Sequence, residues 1–162
     1  MITMPAARPS VTPATPAATP RGCSNFKLRQ ADRVVSRHYD HHLADVGLKT
    51  SQYSLLGHIA AMAPVRPAAL AAAMALDAST LTRNLQPLVA QGWVAVGAGD
   101  DARSRSVQLT DAGRVKHAEA KRAWKKAQLA FNARLGEARV TELHALLDDC
   151  LTLLGDGDNP GR

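Results

Sequence analysis

The chain has 162 residues and a formal net charge of +6, and 46% of its residues are apolar but only 4% are aromatic. This length predicts one compact domain, and the excess of positive charge favours a polyanionic partner. The apolar runs are too short for a transmembrane helix, two cysteines make no disulfide framework, and the amino terminus lacks the pattern of a signal peptide, so we expect a cytoplasmic protein.

Both ends of the chain have a composition typical of disorder. Residues 1–21 hold five of the nine prolines, mixed with alanine and threonine. Such a segment buries too little apolar surface to offset its chain entropy. Residues 156–162 are similar, so we expect a folded unit over residues 22–155 with a disordered tail at each end.

Helical spacing of apolar residues predicts two helices at the start of the folded unit. The first covers residues 22–46. The second, "LKTSQYSLLGHIAAM", begins with a cap at Thr50 or Ser51 and stops at Pro64.

Two short helices then follow with a tight turn between them. "RPAALAAAM" has proline at a first helical position, and "LDASTLTRNLQPLVAQG" starts with an Asp/Ser cap, has a kink expected at Pro87 and ends at Gly92. This spacing suits a helix-turn-helix, whose second helix enters the DNA major groove with its amino end first. Ordinary capping explains hydroxyl residues at a helix start equally well. The polar residues expected on the outer face of that start are Ser79, Thr80, Thr82, Arg83 and Asn84.

The segment "GWVAVGAGDDARSRSVQLTDAG" departs from helical spacing and predicts a hairpin. Its strands are expected at residues 93–96 and 107–110, and its tip carries Arg103 and Arg105. A helix-turn-helix followed by a hairpin is a winged helix, whose wing tip reaches the minor groove, where arginine is favoured. A charged tip that is merely solvated is the alternative.

Two more helices complete the unit. Thr110 and Asp111 indicate a cap, a long helix covers residues 112–135, and after Gly136 a last helix covers residues 137–154. The predicted fold class is therefore mainly α with a small β-hairpin wing.

These elements together resemble the multiple-antibiotic-resistance regulator (MarR) family. The similarity lies in "LKTSQYSLLGHIA", "LDASTLTRNLQPLVAQGWV" and "DDARSRSVQLTDAG", and it extends over residues 22–155. The family's wing element matches Asp101, Arg103 and Gly113 here, whereas Ala102 stands where many members have a second arginine.

The resemblance implies an intertwined homodimer that binds a palindromic double-stranded operator, as a repressor released by a small ligand. Residues 22–46 and 112–155 would form the dimer base, and residues 48–110 the DNA-binding lobe. The DNA contacts it implies are Ser79, Thr80, Thr82, Arg83, Asn84, Arg103 and Arg105.

The family's effectors are often aromatic or phenolic acids, and the resemblance places their pocket between the base and the lobe. Arg29 and Arg33 are four residues apart and could meet a carboxylate, beside Thr50, Tyr53 and Trp124. A solvated arginine stripe and a tryptophan in the dimer core are the alternatives.

Other functions find less support in the sequence. His38 and His42 lie one helical turn apart, but packing or surface roles are favoured over a metal site, and no metal or cofactor is expected. Redox sensing through Cys23 and a winged-helix protein-interaction adaptor remain alternatives; Cys150 lies in the last helix. No motif of an enzyme active site is found, so we expect no catalysis.

Overall fold

The computed structural model describes residues 21–99 and 105–155. The predicted tails, apart from Arg21, lie outside the described residues. The elements are α1 (Ser24–Leu43), α2 (Thr50–Met62), α3 (Pro67–Ala73), α4 (Ala78–Ala90), β1 (Val94–Ala98), β2 (Arg105–Leu109), α5 (Asp111–Leu135) and α6 (Glu137–Gly155), with a 3₁₀ turn (Ala44–Val46) after α1. The order of four helices, a hairpin and two helices confirms the predicted fold class.

Side-chain caps begin α4 and α5 where the sequence predicts them. The Asp77 carboxylate accepts the amide hydrogen of Thr80 at 2.7 Å. The Thr110 hydroxyl accepts the amide hydrogen of Gly113 at 2.9 Å. Each cap satisfies a backbone donor that the first helical turn leaves free, and such caps typically contribute about 1 kcal/mol.

The start of α2 differs from the prediction. The capping position is Lys49, so neither Thr50 nor Ser51 caps the helix. The Gln52 side-chain oxygen accepts the amide hydrogen of Lys49 at 2.9 Å. Thr50 instead donates its amide and its hydroxyl hydrogen to Asp40 of α1, at 2.6 and 2.7 Å. A carboxylate from another helix therefore satisfies the donors that the prediction gave to a local cap.

The core of the lobe lies between α2, α3, α4 and the hairpin. In α4, Leu81, Leu85 and Leu88 are buried and share one face, which turns Arg83 to the outside. The helix continues past the exposed Pro87 to Ala90. The largest side chains buried in this lobe are Leu55, Leu56, Ile59, Leu70, Leu81, Leu88 and Val107.

The hairpin is paired along its whole described length. The antiparallel register joins Val94 to Leu109 and Ala98 to Arg105. Val65, in the segment before α3, adds two backbone hydrogen bonds to Val107, of 3.2 and 2.8 Å. The strands thus start and end within two residues of the prediction, and the wing is anchored to the helix-turn-helix on its inner side.

A tight backbone junction joins α4, the wing and α5. The Thr110 hydroxyl donates to the Gly92 carbonyl at 2.6 Å, and the Thr110 amide donates to the Trp93 carbonyl at 3.1 Å. A Cβ atom at Gly113 would overlap the carbonyl group of Trp93. Only glycine therefore allows α5 to begin so close to the end of α4.

Within the expected base, α1 packs against the far half of α5. Ala120 and Ala127 are fully buried, and such small side chains let the helices approach closely. His38 Nε2 lies 2.9 Å from the Ala127 carbonyl oxygen, and the Tyr39 hydroxyl donates to Gln128 at 2.6 Å. None of the described helices is long and apolar enough to cross a membrane.

We predict that Gly113→Ala destabilises the protein by about 1–3 kcal/mol or more, because the new methyl group meets backbone that cannot move aside. Gly57→Ala in α2 is the matched control, since its Cβ would lie 3.7 Å from His117 Nε2, an ordinary contact. This control should gain about 0.5–1 kcal/mol from helix propensity. Urea unfolding of the three proteins measures both effects. Equal stability of the two variants would contradict the role given to the junction.

Candidate functional site

The first turns of α4 present a polar face to solvent. Ser79, Thr82 and Arg83 are exposed, and Thr80 and Asn84 are half-buried beside them. The buried leucines of α4 set this orientation, because residues between them point away from the core. All five residues predicted to contact DNA on this helix thus lie on or beside one outward face.

A chain of side-chain hydrogen bonds orders this face. The Arg83 guanidinium donates to the Thr80 hydroxyl oxygen at 3.2 Å, and that hydroxyl donates to Asp77 at 2.7 Å. Ser79 also donates to Asp77. These bonds, the one from Ser79 foremost, hold the pKa of the Asp77 carboxyl well below its usual range. Asp77 is therefore charged at neutral pH and holds the helix start and Arg83 in one arrangement.

The hairpin and α4 line the same recess. Arg105 is exposed at the start of β2 and lines a recess together with Thr82 and Gln86 of α4. The structure therefore brings Arg105 beside the helix. Arg103, together with Asp101 and Ala102, lies outside the described residues. Gln86 was absent from the predicted contacts, although its position one turn after Thr82 places it on the same helix face.

A second recess lies on the other side of α4, against the start of α2. Arg83 and Asn84 line it together with Lys49, Ser51 and Gln52. Lys49 adds a cation beside the polar face. In the sequence, Lys49 stands directly before a predicted helix, and the prediction uses this position only to mark where the helix begins.

A cavity of about 610 Å³ lies between α1, α2 and α5. Three predicted ligand residues line it: Thr50, Tyr53 and Trp124. The Tyr53 and Trp124 rings are stacked, with centroids 5.9 Å apart and planes at 24°. Tyr53 also stacks on His117 at 5.9 Å. Two helices of the base and one of the lobe therefore meet around an aromatic wall.

The structure does not bring Arg29 and Arg33 to this cavity, and both are exposed on α1. The residues of α1 that line it are Asp32, Val35, Ser36 and Tyr39. Successive helical residues differ in direction by about 100°, so Arg33 points well away from the face set by Asp32. Arg29 lies about one turn nearer the exposed start of the helix. The predicted pair of arginines around a carboxylate is therefore absent from this cavity.

Burial changes the titration of the aromatic groups around the cavity. Burial raises the pKa values of the Tyr39 and Tyr53 hydroxyls. It also lowers the pKa of His117, with a smaller contribution from the positive charge of Lys121. At neutral pH the two phenols and the imidazole are therefore uncharged.

The histidines and cysteines weighed in the sequence have ordinary surroundings. His38 contacts the Ala127 carbonyl and packs 6.0 Å from the Phe131 ring. No group of three or more metal-binding side chains occurs within residues 21–99 and 105–155. Cys23, at the capping position of α1, and Cys150, on α6, are free and exposed.

Comparisons with known proteins agree with this geometry. A family model described as MarR family matches residues 46–104. The chain is 28% identical over 93 residues to a Bacillus subtilis protein described as an uncharacterized HTH-type transcriptional regulator, YwoH, covering 57% of this chain and 68% of that protein.

Solved structures extend the similarity to most of the fold. The structure of the M. tuberculosis transcriptional regulator MosR in complex with DNA is 30% identical in sequence, with a TM-score of 0.65. The match covers 80% of this chain and 98% of the MosR chain. A mutant MarR from E. coli, complexed with operator DNA, has the same fold at 23% identity, with a TM-score of 0.72 and coverage of 78% and 92%. The chain therefore belongs to the MarR family and is a DNA-binding transcriptional regulator, not an enzyme.

Proposed function

We propose that the protein is a repressor that binds a palindromic operator as a homodimer and releases it when a small aromatic effector binds. The observation that carries this proposal is the recess that Thr82 of α4 shares with Arg105 of the wing. A recognition helix and a hairpin that line the same recess can engage one major groove and the adjacent minor groove together.

The proposed base contacts come from the start of α4. The Arg83 guanidinium can pair with two acceptors of a guanine, and the Asn84 amide with an adenine. Ser79, Thr80 and Thr82 are short enough to reach phosphates from the same face. Lys49, beside Arg83, is an added candidate for a phosphate contact.

The wing supplies cations for the minor groove in this proposal. Arg105 is exposed at the start of β2, at the end of the hairpin next to its connecting segment, and we assign Arg103, outside the described residues, to the tip on the sequence pattern alone. The chain carries 20 lysine and arginine residues against 14 acidic ones. Neutralisation of phosphates by such residues makes the affinity for DNA fall steeply with salt.

The dimer proposal rests on α6. Val140 is the only buried residue of this helix, which is described over its whole length. Leu151 and Leu154 are 70% and 72% exposed, and Leu146 and Leu153 are similarly uncovered. A surface patch of this kind usually marks an interface. In α1, Phe26 is also exposed, which fits a base built from residues 22–46 and 112–155 of two chains.

The effector site is assigned to the cavity lined by Thr50, Tyr53 and Trp124. Its walls come from α1 and α5 of the proposed base and from α2 of the lobe. A ligand there can bind one arrangement of base and lobe better than another, which is the condition for shifting a conformational equilibrium. The aromatic wall suits a flat ring.

We predict that Arg83→Ala weakens operator binding by about 1–3 kcal/mol and relaxes the preference for one base in each half-site. The operator is a duplex that the wild-type protein selects from a random library, and a fluorescence titration against single-base variants gives the affinities. Arg134→Ala removes the same charge at the exposed far end of α5 and should leave the preference intact. An unchanged preference in Arg83→Ala would refute the assignment.

Replacement of Arg103 by alanine should weaken binding to all sequences by similar factors. It should also reduce the slope of log affinity against log salt concentration by about one, the value for one phosphate contact. The same titration, repeated over a range of salt concentrations, measures this slope. A changed base preference would instead make Arg103 a base-reading residue.

We predict that the double variant Leu151→Glu and Leu154→Glu is monomeric at concentrations where the wild type is a dimer. Desolvation of unpaired carboxylates opposes association, so the dimer Kd should rise by about 100-fold or more. Analytical ultracentrifugation measures it. Val89→Glu, an exposed apolar position on α4, is the control for a new charge outside the base. A double variant that stays dimeric would place the interface elsewhere.

A further inference from the structure

We propose that the cavity between α1, α2 and α5 accepts an aromatic cation, such as a protonated aromatic amine, rather than the aromatic carboxylate that the sequence predicts. The inference rests on the proposed function, because it names the chemical class of effector for that same cavity. The charge of the lining, its hydrogen bonds and its aromatic wall each support it.

The charge of the lining is negative. Asp32 lines the cavity from α1, where the Ser36 hydroxyl donates to it at 3.2 Å. Among the lining residues, all of which are described, none is a lysine or an arginine. A bound carboxylate would meet the charge of Asp32 with no lysine or arginine among the lining residues to offset it, whereas an ammonium group would form a charge-assisted hydrogen bond there.

Two lining hydroxyl groups have already donated their hydrogen atoms within the chain. The Thr50 hydroxyl donates to Asp40 at 2.7 Å, and the Tyr39 hydroxyl donates to Gln128 at 2.6 Å. Both oxygens keep lone pairs, so toward a ligand they act as acceptors. Asp40, which accepts both bonds from Thr50, is a second carboxylate in contact with a lining residue.

One ring nitrogen of His58 is likewise engaged within the chain. Its Nδ1 lies 2.8 Å from the Ser54 carbonyl oxygen. A carbonyl oxygen can only accept, so Nδ1 carries a hydrogen, and in the tautomer that this bond selects Nε2 is the acceptor. The Tyr53 and Ser54 hydroxyls can donate or accept and therefore suit either charge. The fixed groups thus favour a ligand that donates hydrogen bonds.

The aromatic wall favours the same ligand. Tyr53 and Trp124 are stacked with centroids 5.9 Å apart, and aromatic faces attract cations within about 6 Å. His117, stacked on Tyr53, adds no positive charge at neutral pH because burial lowers its pKa. The cavity volume of about 610 Å³ accommodates a two-ring amine.

The test uses three indoles of similar shape and different charge: tryptamine (cation), indole-3-propionate (anion) and 3-ethylindole (neutral). Calorimetric titration of the full chain at pH 7 gives each Kd. We expect tryptamine to bind at least about tenfold more tightly than indole-3-propionate, with 3-ethylindole between them.

Asp32→Asn removes the charge at an exposed position and keeps the side-chain shape. It should reduce the preference for tryptamine to within about threefold, because a charge-assisted hydrogen bond is roughly twice as strong as a neutral one. Asp45→Asn changes the net charge equally at an exposed position outside the cavity and should keep the preference. A preference that persists in Asp32→Asn, equal or tighter binding of indole-3-propionate, or no binding of any probe overturns the proposal.

A second measurement separates this proposal from the proposed function. The same probes are added to the protein–operator complex, and the bound fraction is followed. Tryptamine that binds without releasing the operator supports the charge assignment and contradicts control by the effector. If only indole-3-propionate releases the operator, the result supports control by the effector and contradicts the charge assignment.

Discussion

The contact between the Gly113 backbone and the Trp93 carbonyl holds the functional parts of the chain in one frame. Thr110 bonds across it, so the end of α4, the wing and the start of α5 share one junction. From there α5 runs for 25 residues, about 37 Å, past the cavity at Trp124 to the base at Ala127. The cavity and the elements proposed to face DNA are therefore attached to a single helix, and a change in its direction must move both.

The sequence predicts the elements of this frame well where local chemistry sets them. Asp77 and Thr110 cap helices with their own side chains, and the glycines at 47, 92 and 136 have positive φ angles at helix ends. The start of α2 is different, because Thr50 bonds to Asp40, ten residues away on another helix. No local pattern distinguishes a threonine that caps its own helix from one that donates to a distant carboxylate.

The candidate site is likewise predictable where local sequence sets it and not where the packing of distant helices does. The polar start of α4 follows from helical periodicity against buried leucines, and the structure places it outward. Arg29 and Arg33 share one face of α1, but periodicity alone does not say which face the neighbouring helices cover. The packing of α1 on α5 through Tyr39 selects the face of Asp32, about 100° from Arg33. Because Asp32 lines the cavity instead of Arg33, the ligand charge that the lining favours is positive instead of negative.

A cationic effector would place a constraint on how the operator is released. Adding positive charge to a protein that binds a polyanion strengthens long-range attraction, although salt screens it beyond about 8 Å. Electrostatics therefore cannot supply the release, and the effector has to act through geometry, by favouring an arrangement of α1, α2 and α5 in which the two lobes no longer match the half-sites. Linkage requires the reverse as well, so bound operator must lower the affinity of the protein for the effector by the same factor. Tyr53 of α2 stacked on Trp124 of α5 is the contact through which that coupling can pass, because both rings line the cavity and they belong to different helices.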